Sequence, residues 1–524
     1  MDLKKTVLGI ELGSTRIKAL LLNETFHVVA AGEYQWENQM INGVWTYSLD
    51  HARKGMQCCY KSLKEDLLLR HGTLLTTTGA IGISGMMHGY LPFDCNNGQL
   101  ATFRTWRNVA DRQTADFLSE LFHFNIPQRW SIAHLYQAIK NGEEHVKDIA
   151  FLTTLAGYIH FCLTGKRVVG IGEASGMFPI DLKTGTYDQE MLSDFEQLVR
   201  ENGISWNISD ILPKVLPAGE EAGYLTKEGA LLLDPSGDLV SGIPFAPPEG
   251  DAGTGMTATN ALRPGIGNVS AGTSDFAMVV VDKQPKRHAE IDMVTTPSGA
   301  PVAMVHCNNC TSDINAWVDL FRQFAVRLGV DVDKGKLFTL LFQEALKGDF
   351  DGGGLMNYNF LSGEQIVGID EGRPLFCRTP DSSFTLSNFM RVHLYSALAS
   401  LKIGLEILTL QDQVNISRMF GHGGFFKTQG VGARVLSAAI GAPVSVMETA
   451  AEGGPYGMAL LAAYRLWHSD GEPLEDFLER NVFSKASIED VMADTAELDG
   501  FNRFLNNYKK SLCVEAEAVR TFRN

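Results

Sequence analysis

Short apolar runs, each closed by glycine and hydroxyl residues, recur along this chain. Residues 6–10 are the first. They are short and bounded by glycine, so they predict a buried strand, and residues 17–22 predict its partner. Glu11, Gly13, Ser14 and Thr15 lie between them, which makes the pair a hairpin with an acidic, glycine-bearing tip. Residues 51–70 predict a helix, with Met56, Tyr60, Leu63 and Leu67 on one face and Gly72 as its cap. Residues 80–85 predict a short buried strand that empties into Met86, Met87, His88 and Gly89. Helical periodicity follows at 111–124 and 149–163, then a glycine-rich stretch of loop and short strand at 170–186. Turn residues punctuate 213–248 and end in a proline-glycine run around Asp251, after which 254–262 can start a helix.

The second half repeats the opening. Residues 267–270 predict a strand ending in Gly272-Thr273-Ser274, and 276–281 its partner. Helices are predicted at 313–328 and 391–410, with a flexible loop at 349–354. A strand at 416–420 leads into Gly421-His-Gly-Gly424 and a helix at 430–440. A third glycine cluster, Glu452 to Gly457, opens an apolar helix at 458–464. The tail, 465–524, is mostly amphipathic helix, with a docking helix at 501–508. Two hairpins of one layout, one opening each half, point to a duplicated domain with a cleft between the copies.

Length and charge narrow the functional classes. A chain of 524 residues exceeds what one core supports, so two or more domains are expected. A net charge of −16 with no basic block argues against nucleic-acid binding. Eight cysteines in this length are no disulfide framework, and Cys307-Asn-Asn-Cys310 lacks the second pair of a metal knuckle, so it reads as two buried thiols. With no signal-peptide pattern and no apolar run of membrane-spanning length, the chain is expected in the cytoplasm with reduced thiols.

Each motif has a chemical and a structural reading. Gly13 permits close backbone approach, Ser14 and Thr15 can donate to phosphate oxygens, and Glu11 can hold hydrated Mg²⁺ beside them. An ordinary tight hairpin is the alternative. His88, at a strand's carboxyl end, could bind a polyol hydroxyl or simply fill the rim. Trp106, in Phe103-Arg-Thr-Trp-Arg-Asn108, could pack on a sugar while its polar neighbours take the hydroxyls, or could fill core. Asp251 stands at a predicted helix N-terminus, as a reactive carboxylate or as a cap. Glycines 421, 423 and 424 would let a base or ribose lie on the backbone.

The order of these pieces resembles the FGGY carbohydrate kinases. It runs Gly-Ile-Glu11-Leu-Gly-Ser-Thr, Met-His88-Gly, Gly-Asp251-Ala-Gly, Ala-Gly-Thr273-Ser, then Gly-His-Gly-Gly424, with Tyr358 to Glu364 resembling the family's Tyr-Leu-Ser-Gly-Glu run. The resemblance extends from Gly9 to about Tyr464, and its Met-His-Gly element points to the xylulokinase-like branch. It implies an α/β chain of two ribonuclease-H-like (actin/Hsp70-type ATPase) domains with an interdomain cleft. An N-terminal domain, 1–257, would carry the sugar and the base. A C-terminal domain, 258–524, would bind nucleotide and close with helices over 465–524. By the same resemblance Asp251 is the catalytic base, and Met87, His88, Trp106 and Asn108 belong to the sugar site. Gly13, Ser14, Thr15 and Lys18 face ATP phosphates, Gly272, Thr273 and Ser274 form a second phosphate loop, and Gly421, Gly423, Gly424 and Lys427 fall in the adenosine region. Glu11 takes the place of the family's Mg²⁺-holding Asp. Further departures are Met86 for Gln, Asn108 for Asp, Ala252 for Asn and Phe425 for a glycine, and these bear on the sugar more than on the reaction.

The expected activity is transfer of the γ-phosphoryl of ATP to a sugar hydroxyl, with a pentulose such as xylulose first in line. The alternatives are a kinase for another ketose or polyol such as ribulose, a sugar- and nucleotide-binding protein with weak turnover, and an actin- or Hsp70-like ATPase working through partners. Sugar-stimulated ADP release separates the kinases from the rest. The expected partners are sugar and ATP, with neither nucleic acid nor membrane, and a homodimer is left open.

Overall fold

The computed structural model describes residues 1–447, 453–484 and 489–522. Glu452, at the head of the third glycine cluster, lies outside the described residues. The chain divides into two compact units. The first contains Met1–Arg263, Asp292–Val302 and the described residues of Glu452–Ala486, and the second the remainder. The sequence divides the chain once, at 257/258. The fold instead returns two later segments to the first unit. Residues 292–302 are tied there by Thr295, whose N–H donates to Ser175 Oγ (3.0 Å) and whose hydroxyl donates to Ile171 O (3.0 Å). The helix Gly453–Trp467 lies against the first hairpin.

The first unit is built on a five-stranded sheet in the order Glu249–Gly250, Ala80–Gly85, Val7–Leu12, Arg16–Leu22, Val28–Gln35. The hairpin strands Val7–Leu12 and Arg16–Leu22 are antiparallel, and Ala80–Gly85 and Glu249–Gly250 add in parallel. Parallel strands buried on both faces need apolar side chains throughout, which is why these segments read as unbroken apolar runs. The register decides which helix meets which face. Gly9, Leu20 and Ala31 form one cross-strand row, and Ile10, Ala19 and Gly32 the next. Neighbouring rows point to opposite faces. A Cβ on Gly9 would lie 2.2 Å from Pro455 O, and one on Gly32 2.2 Å from Cys59 O. The helices Gly453–Trp467 and Leu49–His71 therefore cover opposite faces, each seated where a glycine removes the side chain.

The second unit repeats this plan. Ile266–Ala271 and Asp275–Val280 form an antiparallel hairpin, Arg418–His422 pairs in parallel with the first of them, and Val444–Ser445 follows in parallel. Its core holds the long helix Leu386–Glu406. The tail helix Thr495–Lys510 starts on an Asp494/Glu497 capping box and buries Phe501, Phe504, Leu505 and Tyr508.

One helical reading fails. Residues 149–163 split into a strand, Phe151–Thr153, and a helix, Leu155–Thr164. Thr154 makes the break, its hydroxyl capping the helix by accepting from Gly157 N–H (3.3 Å).

Candidate active site

In the first unit three strands end together. Leu12 pairs with Gly85 and Gly85 with Gly250, so Glu11, Met86–His88 and Asp251 are brought to one edge of the sheet. Asp251 is the first residue of the helix Asp251–Ala258, whose N-cap is Gly250 without a side-chain bond. Its Oδ1 accepts from Met87 N–H at 3.3 Å, which ties the carboxylate to the neighbouring strand end. Burial pushes its pKa up to about 6, against the pull of backbone donors from Met87 and Ala252.

Glu11 is half-buried, and burial followed by the charge of Asp251 pushes it up to about 8, with Lys18 as the opposing charge. Lys18 faces it across the hairpin register. Gly454 makes room for it, since a Cβ there would lie 2.4 Å from Glu11 Oε1. The carboxylates of Glu11 and Asp251 are the oxygen donors that suit a hydrated Mg²⁺. Among the described residues no group of three or more His, Cys, Asp or Glu could hold a metal, which suits an ion that keeps its waters and takes its other ligands from phosphate.

Met87 and His88 line the same edge. His88 has φ +67°, an uncommon conformation for a residue with a side chain. Its ring is buried, pairs with Gly176 O through Nδ1 (3.1 Å) and stacks on Trp130 at 6.3 Å. Behind this edge are two acids that the sequence did not flag. Glu249 accepts backbone N–H bonds from Gly172 (3.1 Å), Glu173 (2.8 Å) and Gly250 (3.3 Å), and so fixes the turn into Asp251. Glu173 is sealed from solvent, and among the described residues neither oxygen has a donor in hydrogen-bonding geometry, with the Thr154 hydroxyl nearby as relief. Burial, helped by the charges of Glu249 and Asp251, holds its pKa well above the usual range. Nothing in the local sequence distinguishes either glutamate from a surface acid.

Two expected sugar-site residues have other employment. The Asn108 side chain accepts from Trp45 N–H (2.9 Å) and donates to Trp45 O (2.7 Å) and Thr105 O (3.0 Å), so it braces a loop. Trp106 donates its indole N–H to Ser14 Oγ (3.1 Å) and so touches the hairpin tip.

In the second unit the Gly272–Ser274 tip is anchored from behind. Cys310 N–H donates to Thr273 O (3.0 Å), and Thr311 N–H and Oγ1 donate to Gly272 O (2.9 and 2.6 Å). In a trans peptide, C=O and N–H point opposite ways. These anchors turn the Thr273 and Ser274 amides away, and among the described residues neither amide has a protein acceptor. Glu364 holds the anchor, its Oε2 accepting from Asn308 N–H (3.0 Å), Asn309 N–H (3.2 Å) and Asn309 Nδ2 (3.1 Å). Cys307 and Cys310 are buried free thiols, as the lack of a second cysteine pair suggests.

Beside this tip a cavity of about 350 Å³ is lined by Gly272, Thr273, Thr311, Asn315, Phe338, Thr339, Phe342, Gly424, Lys427 and others. A lining that combines backbone and hydroxyl groups with two phenylalanines suits a nucleoside. Phe338 and Phe342 stand one turn apart on the helix Lys334–Ala345, a spacing that reads equally well as core. Of the expected adenosine glycines, Gly424 borders the cavity. Gly421 and Gly423 answer to packing, since a Cβ would lie 2.5 Å from the Phe426 ring and 2.4 Å from Ala271 O respectively.

Two units of one plan, each a hairpin with a glycine-hydroxyl tip followed by parallel strands, define the actin/Hsp70-type ATPase fold. The N-terminal model of the FGGY family of carbohydrate kinases matches residues 6–253 and the C-terminal model matches 267–466. The chain belongs to this family. A xylulose kinase of Haemophilus influenzae is 24% identical over 346 residues, covering 62% of this chain and 64% of that protein. The chain thus spans just under two thirds of the length of that relative. The ligand-bound xylulose kinase of Lactobacillus acidophilus superposes with a TM-score of 0.81 at 16% identity, over 99% of this chain and 100% of the other. A gluconate kinase of the same organism reaches 0.80 at 19% identity, over 99% of each chain. Among the described residues no helix is long and apolar enough to cross a membrane.

Proposed function

We propose that this chain transfers the γ-phosphoryl group of ATP, with Mg²⁺, to a hydroxyl of a pentulose of the xylulose type. The observation that carries the reading is Asp251, a half-buried carboxylate at the strand ends, oriented by Met87 N–H and set near pKa 6. A base in that range is ionised at neutral pH and still basic enough to take a hydroxyl proton as the phosphoryl group arrives. One oxygen is steered by the Met87 amide, leaving the other to accept the proton. Met87 and His88 border the sugar. The amides at both tips offer donors for phosphoryl oxygens, and the 350 Å³ cavity takes the nucleoside. Glu11 would hold Mg²⁺ through water, and the ion, when bound, neutralises charge on the phosphate oxygens. Supporting the choice of sugar are the xylulose kinases among the relatives, while the gluconate kinase neighbour keeps sugar acids in the test.

The test is ADP release across ketoses, aldoses, polyols and sugar acids, with Asp251→Asn alongside. A pentulose should give the highest kcat/KM, and the variant should lose about 10²–10⁴-fold in turnover while keeping nucleotide affinity. Turnover near wild type in the variant would remove Asp251 as the base. Preference for another class would replace the pentulose.

A further inference from the structure

The first hairpin tip is held by two aromatic side chains, beside a backbone bond from Trp36 N–H to Thr15 O (3.2 Å). Trp36 donates its indole N–H to Gly13 O at 2.7 Å, and the Tyr47 hydroxyl donates to Ser14 O at 2.5 Å. The two rings are buried and stacked, with centroids 4.2 Å apart and planes 27° from parallel. Burial pushes the Tyr47 hydroxyl up to about 12, so it stays a donor throughout the working pH range. Because the peptides are trans, pinning Gly13 O turns Ser14 N–H away from the rings, and pinning Ser14 O does the same to Thr15 N–H. Among the described residues neither amide has a protein acceptor. Two adjacent bare amides on a tip form an anion-binding concavity.

We infer that Trp36 and Tyr47 are positioning residues that aim the Ser14 and Thr15 amides at the terminal phosphoryl oxygens of the nucleotide. The inference rests on the reading that this tip faces phosphate. It extends that reading to residues more than 20 positions away in the chain, in a segment where the sequence shows no phosphate motif. The second tip is held by the Cys310 and Thr311 N–H groups together with the Thr311 hydroxyl, so it keeps main-chain anchors when one side-chain atom is removed.

Tyr47→Phe removes that atom and keeps the ring and its stack. With sugar present, the inhibition constant of a non-hydrolysable ATP analogue should rise about tenfold and kcat should fall, the loss expected for one orienting hydrogen bond. Inhibition by AMP, the KM for sugar and the melting temperature should stay at wild-type values. Trp36→Phe should repeat the effect on the analogue and on kcat, with some loss of melting temperature from the smaller buried ring. Thr15→Pro, which deletes an amide outright, tests the underlying reading. If Thr15→Pro weakens the analogue and Tyr47→Phe does not, the positioning role is overturned and the phosphate reading stands. If neither weakens it, the tip does not face phosphate and both fall. If Tyr47→Phe weakens AMP, sugar and analogue alike and lowers the melting temperature, Tyr47 only supports the fold and the inference is overturned.

Discussion

At the scale of single residues, Asp251 meets two opposing demands. Burial makes its charge costly, and the Met87 amide returns part of that cost, which leaves the carboxyl near 6 rather than at the ordinary aspartate value. A base acts only when ionised, and Asp251 is ionised above its pKa. The profile of kcat/KM against pH should therefore be level above about pH 7 and fall toward tenfold per unit below about pH 6. Rates that stay level down to pH 5 would assign the proton to another group. Asp251 was visible in the sequence because glycines flank it on a turn into a helix. Its orienting partner was not, since Met87 contributes a backbone N–H and any residue but proline carries one. Asn108 shows the reverse case: a polar residue in a promising motif whose amide is bonded to the backbone of Trp45 and Thr105.

At the scale of elements, helices are seated by absent side chains. Gly9 opposes Pro455 and Ala459, and Gly457 opposes Thr254 O, where an added Cβ would lie 1.9 Å away. The helices Gly453–Trp467 and Asp251–Ala258 and the strand Val7–Leu12 thus meet backbone to backbone, which sets how Asp251 stands beside Glu11. Gly9→Ala places a methyl 2.2 Å from a carbonyl oxygen, and neither backbone can yield without moving the helix. Urea unfolding should show a loss of at least about 1–3 kcal/mol, the range for overpacking, together with reduced turnover. An unchanged midpoint would mean that the helix can shift at little cost. That Gly457 serves packing was readable in advance, because a glycine inside an apolar helix needs a close neighbour. Which element it meets was not, because about 200 residues separate it from Thr254.

At the scale of the whole molecule, buried acids and buried histidines pull stability in opposite directions with pH. Glu11 and Glu249 are raised to about 8, Glu364 to about 7 and Asp251 to about 6, chiefly by burial. A carboxyl whose folded pKa exceeds its unfolded value contributes stability below that unfolded value, and the contribution is lost as pH rises through the folded pKa. Between about pH 5 and 8 these groups therefore make the fold weaker as pH rises. His134, His160, His393 and His422 are lowered to about 4 by burial, so their contribution is lost as pH falls from about 6.5 toward 4. Without nucleotide, the melting temperature should peak near pH 6 and be lower at pH 8.5 than at pH 6.5. A higher value at pH 8.5 would show that these carboxyls are not buried as described.

The amino-acid sequence by itself determined the elements and their repetition. Short apolar runs closed by glycine and hydroxyl residues read as buried strands with open ends, so both hairpins, the strand into Met87-His88 and the turn at Asp251 follow from local chemistry, and their order identifies the family. Tertiary structure decided what each site residue faces. It returned the helix Gly453–Trp467 to the first unit, set Glu249 and Glu173 behind Asp251, turned Trp36 and Tyr47 onto the first tip and placed Phe338 and Phe342 on the cavity beside the second tip. The physical reason is that periodicity records only whether a side chain is buried. Which group it meets depends on register and on contacts between segments far apart in the chain, and these leave no trace in local spacing.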